Sequence, residues 1–160
     1  MVLPFFYKES LEASNNDVVL DEASSKHIVQ VLRMQHGEQL QLTNGKGNLF
    51  TAEITDNNRK KCTVKVIKSS NEQRATNNIS IAISLIKSTE KTAFKFDRMK
   101  SILVSAMLQS QQCWLPVLHE PTAFNELVKS TTHQQKFIAH CIDDTKRNLT
   151  DLNNGSLASK

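Results

Sequence analysis

The sequence predicts a two-part α+β and α/β chain: a small β-barrel carrying one helix, followed by an α/β domain. Three observations lead there. Short alternating segments separated by tight-turn signals fill residues 39–68. The stretch Ser69–Asn78 (SSNEQRATNN) is polar apart from one alanine. Beyond it, nearly continuous apolar runs alternate with helical patterns, as in a largely parallel sheet covered by helices.

Leu3–Tyr7 is a short apolar and aromatic run, and Asp17–Leu20 leads into LDEASSKHIVQVLRMQHGE. There Asp21 is a good helix N-cap, and Glu22 suits the positive end of the helix dipole. Ile28, Val31 and Leu32 fall at i, i+3 and i+4, predicting one apolar stripe, and Gly37 supplies a left-handed stop. Gln39–Thr43 alternates, Asn44-Gly45-Lys46-Gly47 signals a tight turn, and Asn48–Thr55 continues as a strand. After a turn at Asp56–Asn58, Lys61–Lys68 places Cys62, Val64 and Val66 on one face. Short strands at this spacing with one helix predict a small closed barrel.

The polar stretch is the best linker, so the domains are read as 1–72 and 79–160, joined by 73–78. Ile79–Ile86 (ISIAISLI) reads as a strand buried on both faces. Phe96–Gln112 reads as a helix whose inner stripe is Met99, Ile102, Leu103, Ala106 and Ser110. Leu115–Leu118 is expected as a short strand, Pro121–Val128 as a helix and Lys136–Ile142 as a further buried strand.

Composition narrows the function only a little. The chain has 160 residues, 39% hydrophobic and 22% charged, as in ordinary soluble proteins. Neither a membrane span nor a secretion signal is evident, so a cytoplasmic address is expected. Lysine and arginine exceed the acidic residues by 20 to 16, a mild excess that weakly favours a polyanionic partner. Cys62, Cys113 and Cys141 are odd in number and lack C-x-x-C spacing, which argues against a disulfide framework and structural zinc. No metal site is expected, and no phosphate-binding glycine motif occurs.

Four segments in order carry a resemblance. They are KHIVQVLRMQHGE (Lys26–Glu38), NGKG (Asn44–Gly47), SLIKSTEK (Ser84–Lys91) and AMLQSQQCWLP (Ala106–Pro116). Together they resemble the RsmE family of 16S rRNA uridine-N3 methyltransferases. The resemblance implies a PUA-like RNA-contacting barrel, then an α/β-knot (SPOUT-type) domain with S-adenosylmethionine as methyl donor. It also implies 16S rRNA in the small ribosomal subunit as partner, and a homodimer. Set against the family pattern, roughly thirty or forty residues are missing after Lys91, by loop-length expectations. The G-P-E-G loop and the L-R-x-E-T-A segment of the family's cofactor pocket are missing too, so the α/β domain is expected to be incomplete. The family's Glu and Arg in the Gln-Ser element are replaced by Leu108 and Gln112.

Candidate RNA contacts are Arg33, Lys26 and Lys46, with Gly45 and Gly47 letting backbone come close to a ligand. Arg33 either meets a phosphate or pairs locally, and the glycines either admit RNA or simply turn the chain. His140 and Cys141 either line the donor pocket, as the resemblance implies, or are core residues of the strand, while by the resemblance Gln109 and Ser110 shape the substrate side. His27 is expected to fix the helix to the barrel, and Trp114 either stacks on a base or packs internally. No group stands out to remove the N3 proton. The rival reading is a non-catalytic RNA-binding module whose α/β part is a dimerisation platform.

Overall fold

The computed structural model describes residues 3–12, 16–76, 79–84, 95–133 and 135–138. Five strands form one sheet: β1 (Phe5–Tyr7), β2 (Asp17–Val19), β3 (Gln39–Thr43), β4 (Asn48–Asp56) and β5 (Thr63–Asn71), in the order β1-β3-β4-β5-β2. β1 lies parallel to β3, and the other pairings are antiparallel. β1 and β2 stand at opposite ends of that order, so among the described residues the sheet is a half-barrel rather than the closed one expected.

Alternation builds its core. In β4, Phe50, Ala52 and Ile54 face inward, opposite Leu42, Leu40 and Val64 respectively. Each of these six is fully buried. A buried aliphatic or aromatic side chain contributes about 1.5–3 kcal/mol, so this face is a main source of stability among the described residues. Phe6, Leu11, Val18, Leu20, Ile28, Met34 and Cys62 complete the same cluster.

The helix α1 (Glu22–Lys26) starts where expected. Asp21 caps it, accepting from the Ser24 N–H at 3.0 Å and the Ser24 hydroxyl at 2.8 Å. Buried Ser25 ties the helix to the sheet. Its hydroxyl donates to the Asp21 carbonyl at 2.7 Å and accepts from the Cys62 N–H at 2.9 Å. From His27 to Val31 the helix widens into a π turn, with the Leu32 N–H donating to the His27 carbonyl.

That widening overturns two expectations. The extra residue in the turn rotates Val31 and Leu32 outward, leaving them 68% and 40% exposed. Only Ile28 of the expected stripe is buried, and Met34 takes the second inward place. The stop is also earlier than Gly37. Arg33 adopts φ 56°, and the Met34 N–H reaches back six residues to the Ile28 carbonyl, a Schellman-type end. Gly37 (φ 87°) instead serves the turn Gln35–Glu38, and its N–H bonds the Ile54 carbonyl at 2.8 Å. His36 lies in that turn, beyond the helix end.

The second half departs further. β5 runs on to Asn71, so Ser69–Asn71 of the polar stretch are strand, opposite Asn48–Phe50. Residues 79–84 form no strand. Ile79, Ile81 and Ile83 are 82–85% exposed, because no described strand lies beside them to cover a face. Residues 115–118 are likewise not a strand; the only ladder contact there is an isolated bridge from Trp114 to Lys46.

The helix α2 (Phe96–Gln109) is present, but its covered side is rotated from the expected one. Met107 is buried and Leu103 half-buried, whereas Met99 and Ile102 of the expected inner stripe are exposed. The side facing β1 is the one one residue round, and a Lys100–Glu9 ion pair at 3.3 Å marks it. By contact the chain divides into units 1–121 and 122–160. In the second unit α3 (Phe124–Ser130) starts three residues later than the expected Pro121–Val128 helix. Residues 136–138 are not strand, and the rest of the expected Lys136–Ile142 strand lies outside the described residues.

Candidate nucleic-acid interface

The sequence candidates fall in two places on the half-barrel. The first is the end of the π turn. The left-handed backbone at Arg33 turns the chain sharply there, leaving this exposed residue next to exposed Val31 and Leu32. Among the described residues Arg33 has no ion pair. Local pairing, the competing reading for Arg33, belongs instead to Lys26, whose ammonium lies 2.7 Å from Glu22 one turn earlier. That pair holds the Glu22 carboxyl below its usual range. Asp21 is also held low: its partial burial pushes the other way, but the two bonds from Ser24, with backbone N–H groups of Asp21 and Ala23, together prevail. His27 packs its ring edge-on against Phe6 at 5.8 Å, consistent with fixing the helix to the sheet.

The second place is the β3–β4 turn. Asn44 is buried; its amide donates to the Leu11 carbonyl, and its side-chain oxygen accepts from the Lys46 N–H at 2.9 Å. Gly45 and Gly47 both have left-handed backbones. The room the two glycines leave is already filled by the chain itself. A Cβ on Gly47 would stand 2.3 Å from Cζ2 of Trp114, and one on Gly45 would stand 3.0 Å from Cβ of Leu115. The segment after α2 thus lies along the turn. The Gly47 N–H bonds the Cys113 carbonyl, the Leu115 N–H bonds the Gly45 carbonyl, and the Glu72 N–H bonds the Gly47 carbonyl. The glycines therefore serve close packing of backbone and indole, and backbone approach by an external ligand is taken up at both. Lys46, between them, remains exposed.

Trp114 thereby packs one edge of its ring on this turn and stays half-exposed. Its indole N–H donates to the Glu72 carbonyl at 3.0 Å, and the Arg74 guanidinium carbon lies 5.6 Å from its ring centroid. In the sequence Arg74 is one of several polar residues in a linker. No local signal marks it, because its aromatic partner comes from the far side of α2.

The remaining candidates divide. Gln109 and Ser110 sit at the end of α2, where the Ser110 hydroxyl donates to the Ala106 carbonyl at 2.8 Å and so serves the helix end itself. His140 and Cys141 lie outside the described residues. Burial pushes the thiols of Cys62 and Cys113 up, which makes both poor nucleophiles at neutral pH. Among the described residues there is no cluster of metal-ligating side chains, and no helix is long and apolar enough to cross a membrane.

Residues 20–67 match the RNA methyltransferase PUA domain, and residues 66–159 match the RNA methyltransferase domain. The chain belongs to the RNA methyltransferase family. The second match covers more than half of it, and the order of the two parts is the one the four sequence segments imply.

Solved structures agree on the fold of this family member. A probable rRNA methyltransferase from Porphyromonas gingivalis is 28% identical, with a TM-score of 0.58 over 72% of this chain and 58% of its own. A Legionella pneumophila protein assigned as a methyltransferase, solved in complex with S-adenosylmethionine, is 20% identical. Its TM-score is 0.71 over 91% of this chain and 73% of its own. Ribosomal RNA small subunit methyltransferase E from Neisseria gonorrhoeae, bound to S-adenosylmethionine, is 20% identical with a TM-score of 0.54, over 71% and 59% respectively. The family member described here spans less than two thirds of the Porphyromonas protein's length.

Proposed function

We propose that this chain is part of a cytoplasmic S-adenosylmethionine-dependent rRNA methyltransferase that modifies N3 of a uridine in 16S rRNA of the small ribosomal subunit. The observation that supports the reading is the unbroken succession of a PUA match and a methyltransferase match across residues 20–159. In this reading residues 1–72 grip RNA, 73–78 connect, and 79–160 belong to the catalytic domain, which pairs as a homodimer. Phosphate contacts supply affinity and register while leaving base choice to the catalytic half. Arg33 is the foremost contact, because it is exposed and unpaired among the described residues. Lys46 is next, and Lys26 contributes less because Glu22 already neutralises it.

S-adenosylmethionine would supply an activated methyl on a sulfonium that carries its own leaving group. The protein's task is then mainly to orient the two reactants and extract the base. The described residues do not themselves form a cradle for that donor. Ile79–Ser84, part of the run expected as a strand buried on both faces, is exposed and forms no strand, and His140 and Cys141 lie outside the described residues. In this reading Gln109 and Ser110, by the family resemblance, lie on the substrate side.

The test is mass mapping of 16S rRNA from cells lacking the gene. The expected outcome is loss of one N3-methyluridine, restored by the gene in trans. Unchanged methylation in the deletion strain rejects the substrate assignment. Unchanged methylation together with retained RNA binding by the chain favours the non-catalytic module, a reading that the uncovered Ile79–Ser84 run supports.

A further inference from the structure

The cluster on the β3–β4 turn has a composition that packing alone does not require. Three groups from distant parts of the chain meet there: Lys46 from the turn, Arg74 after β5, and Trp114 after α2. Trp114 is fixed on two sides. Its benzo edge fills the space beside Gly47, and its N–H is tied to the Glu72 carbonyl at 3.0 Å. It remains half-exposed, and Arg74, itself exposed, stands over the ring at 5.6 Å. Lys46 is exposed next to the same residue, whose backbone it bridges. Neither cation has an ion pair among the described residues.

From this geometry we infer that Lys46, Arg74 and Trp114 form a subsite for one nucleotide of single-stranded RNA. The base stacks on the free part of the indole beneath Arg74, and the flanking phosphates meet Lys46 and Arg74. The inference rests on the proposed RNA-binding reading and adds a base-stacking site to it. The physical logic is that a pre-fixed aromatic loses little freedom on binding and that every base offers a π-face, so stacking here adds affinity without choosing a sequence. The exposed arginine swings outward to admit the base and closes on it as a second layer. Glu72 joins through its main-chain carbonyl.

Trp114 is the only tryptophan, so its emission reports this site alone. The experiment titrates the full 160-residue chain with a short single-stranded oligoribonucleotide of mixed sequence. It follows RNA anisotropy and Trp114 emission together, with inorganic polyphosphate as a base-free polyanion. The expected result is saturable binding that quenches Trp114 with RNA and leaves emission unchanged with polyphosphate. Arg74→Ala, at an exposed position that leaves the core intact, should weaken RNA binding about two- to fivefold. Arg74→Ala and Lys46→Ala should each reduce the salt slope by about one phosphate. RNA binding with unchanged Trp114 emission, or with both variants at wild-type affinity, overturns the subsite while leaving the RNA-binding reading intact. Equal quenching by polyphosphate also overturns it. No RNA binding by the wild-type chain overturns both.

Discussion

The half-barrel and the Ile79–Ser84 run obey the same sequence rule with opposite results. Val64 and Ile81 are both β-branched residues in apolar patterns, yet Val64 is fully buried and Ile81 is 82% exposed. The difference is the neighbour. β5 lies between β4 and β2, and β4 brings Ile54 opposite Val64. No described strand lies beside Ile81. An apolar alternating run is thus a capacity for sheet, and hydrogen-bonded partners turn it into a strand.

The sharpest way to test that contrast is to truncate one residue on each side of it. Phe50→Ala should cost about 3–5 kcal/mol, the loss of a fully buried aromatic plus its cavity. Ile81→Ala should change stability by no more than about 0.5 kcal/mol. Urea denaturation midpoints of the two variants check this. A comparable loss in Ile81→Ala would mean that the run is covered in solution.

Next in size is the β3–β4 turn, where close packing and backbone conformation act together. Gly47→Ala places a methyl 2.3 Å from the indole on a left-handed backbone, so about 1–3 kcal/mol should be lost. Trp114 emission should shift to the red as the ring is pushed into water. An unshifted spectrum would show that the indole does not occupy the glycine's space.

A smaller effect of opposite sign separates folding from function. Arg33 sits in the left-handed region, which costs a non-glycine residue about 1 kcal/mol. Arg33→Gly should therefore raise the thermal midpoint while weakening RNA binding, whereas Arg33→Ala should weaken binding with no gain in stability. A glycine variant no more stable than wild type contradicts the left-handed helix end.

The smallest effect is electrostatic. The Asp21 carboxyl is held below its usual value in the folded chain. Its contribution is then fully present above the unfolded value of about 3.9 and is lost as pH falls through the lower folded value. Asp21→Asn keeps a capping oxygen but removes this titration, so the variant should lose less stability than wild type on acidification below about pH 4. Parallel pH profiles for the two proteins would argue against the shift.

These contrasts also explain how far the sequence could be read. β3, β4 and the helix start at Asp21 were legible, because alternation, a tight-turn signal and a capping carboxylate act within a few residues. The helix end was not, because its π turn and the left-handed Arg33 depend on seating Ile28 and Met34 in the core. α2 was legible as a helix but not as to its buried face, since both of its sides carry apolar residues and only contact with β1 chooses between them. The turn glycines were recognised, yet what fills them, Trp114, comes from the far side of α2. Arg74 gave no local sign at all, and the expected donor-pocket residues His140 and Cys141 lie outside the described residues.

The central claim is that the half-barrel, through Arg33, holds RNA by its phosphates. The most direct measurement is the affinity of the chain for an rRNA fragment across a range of salt concentrations, for wild type and Arg33→Ala. The account predicts affinity that falls steeply with salt, and a slope shallower by about one phosphate in the variant. Identical slopes for the two proteins would contradict it.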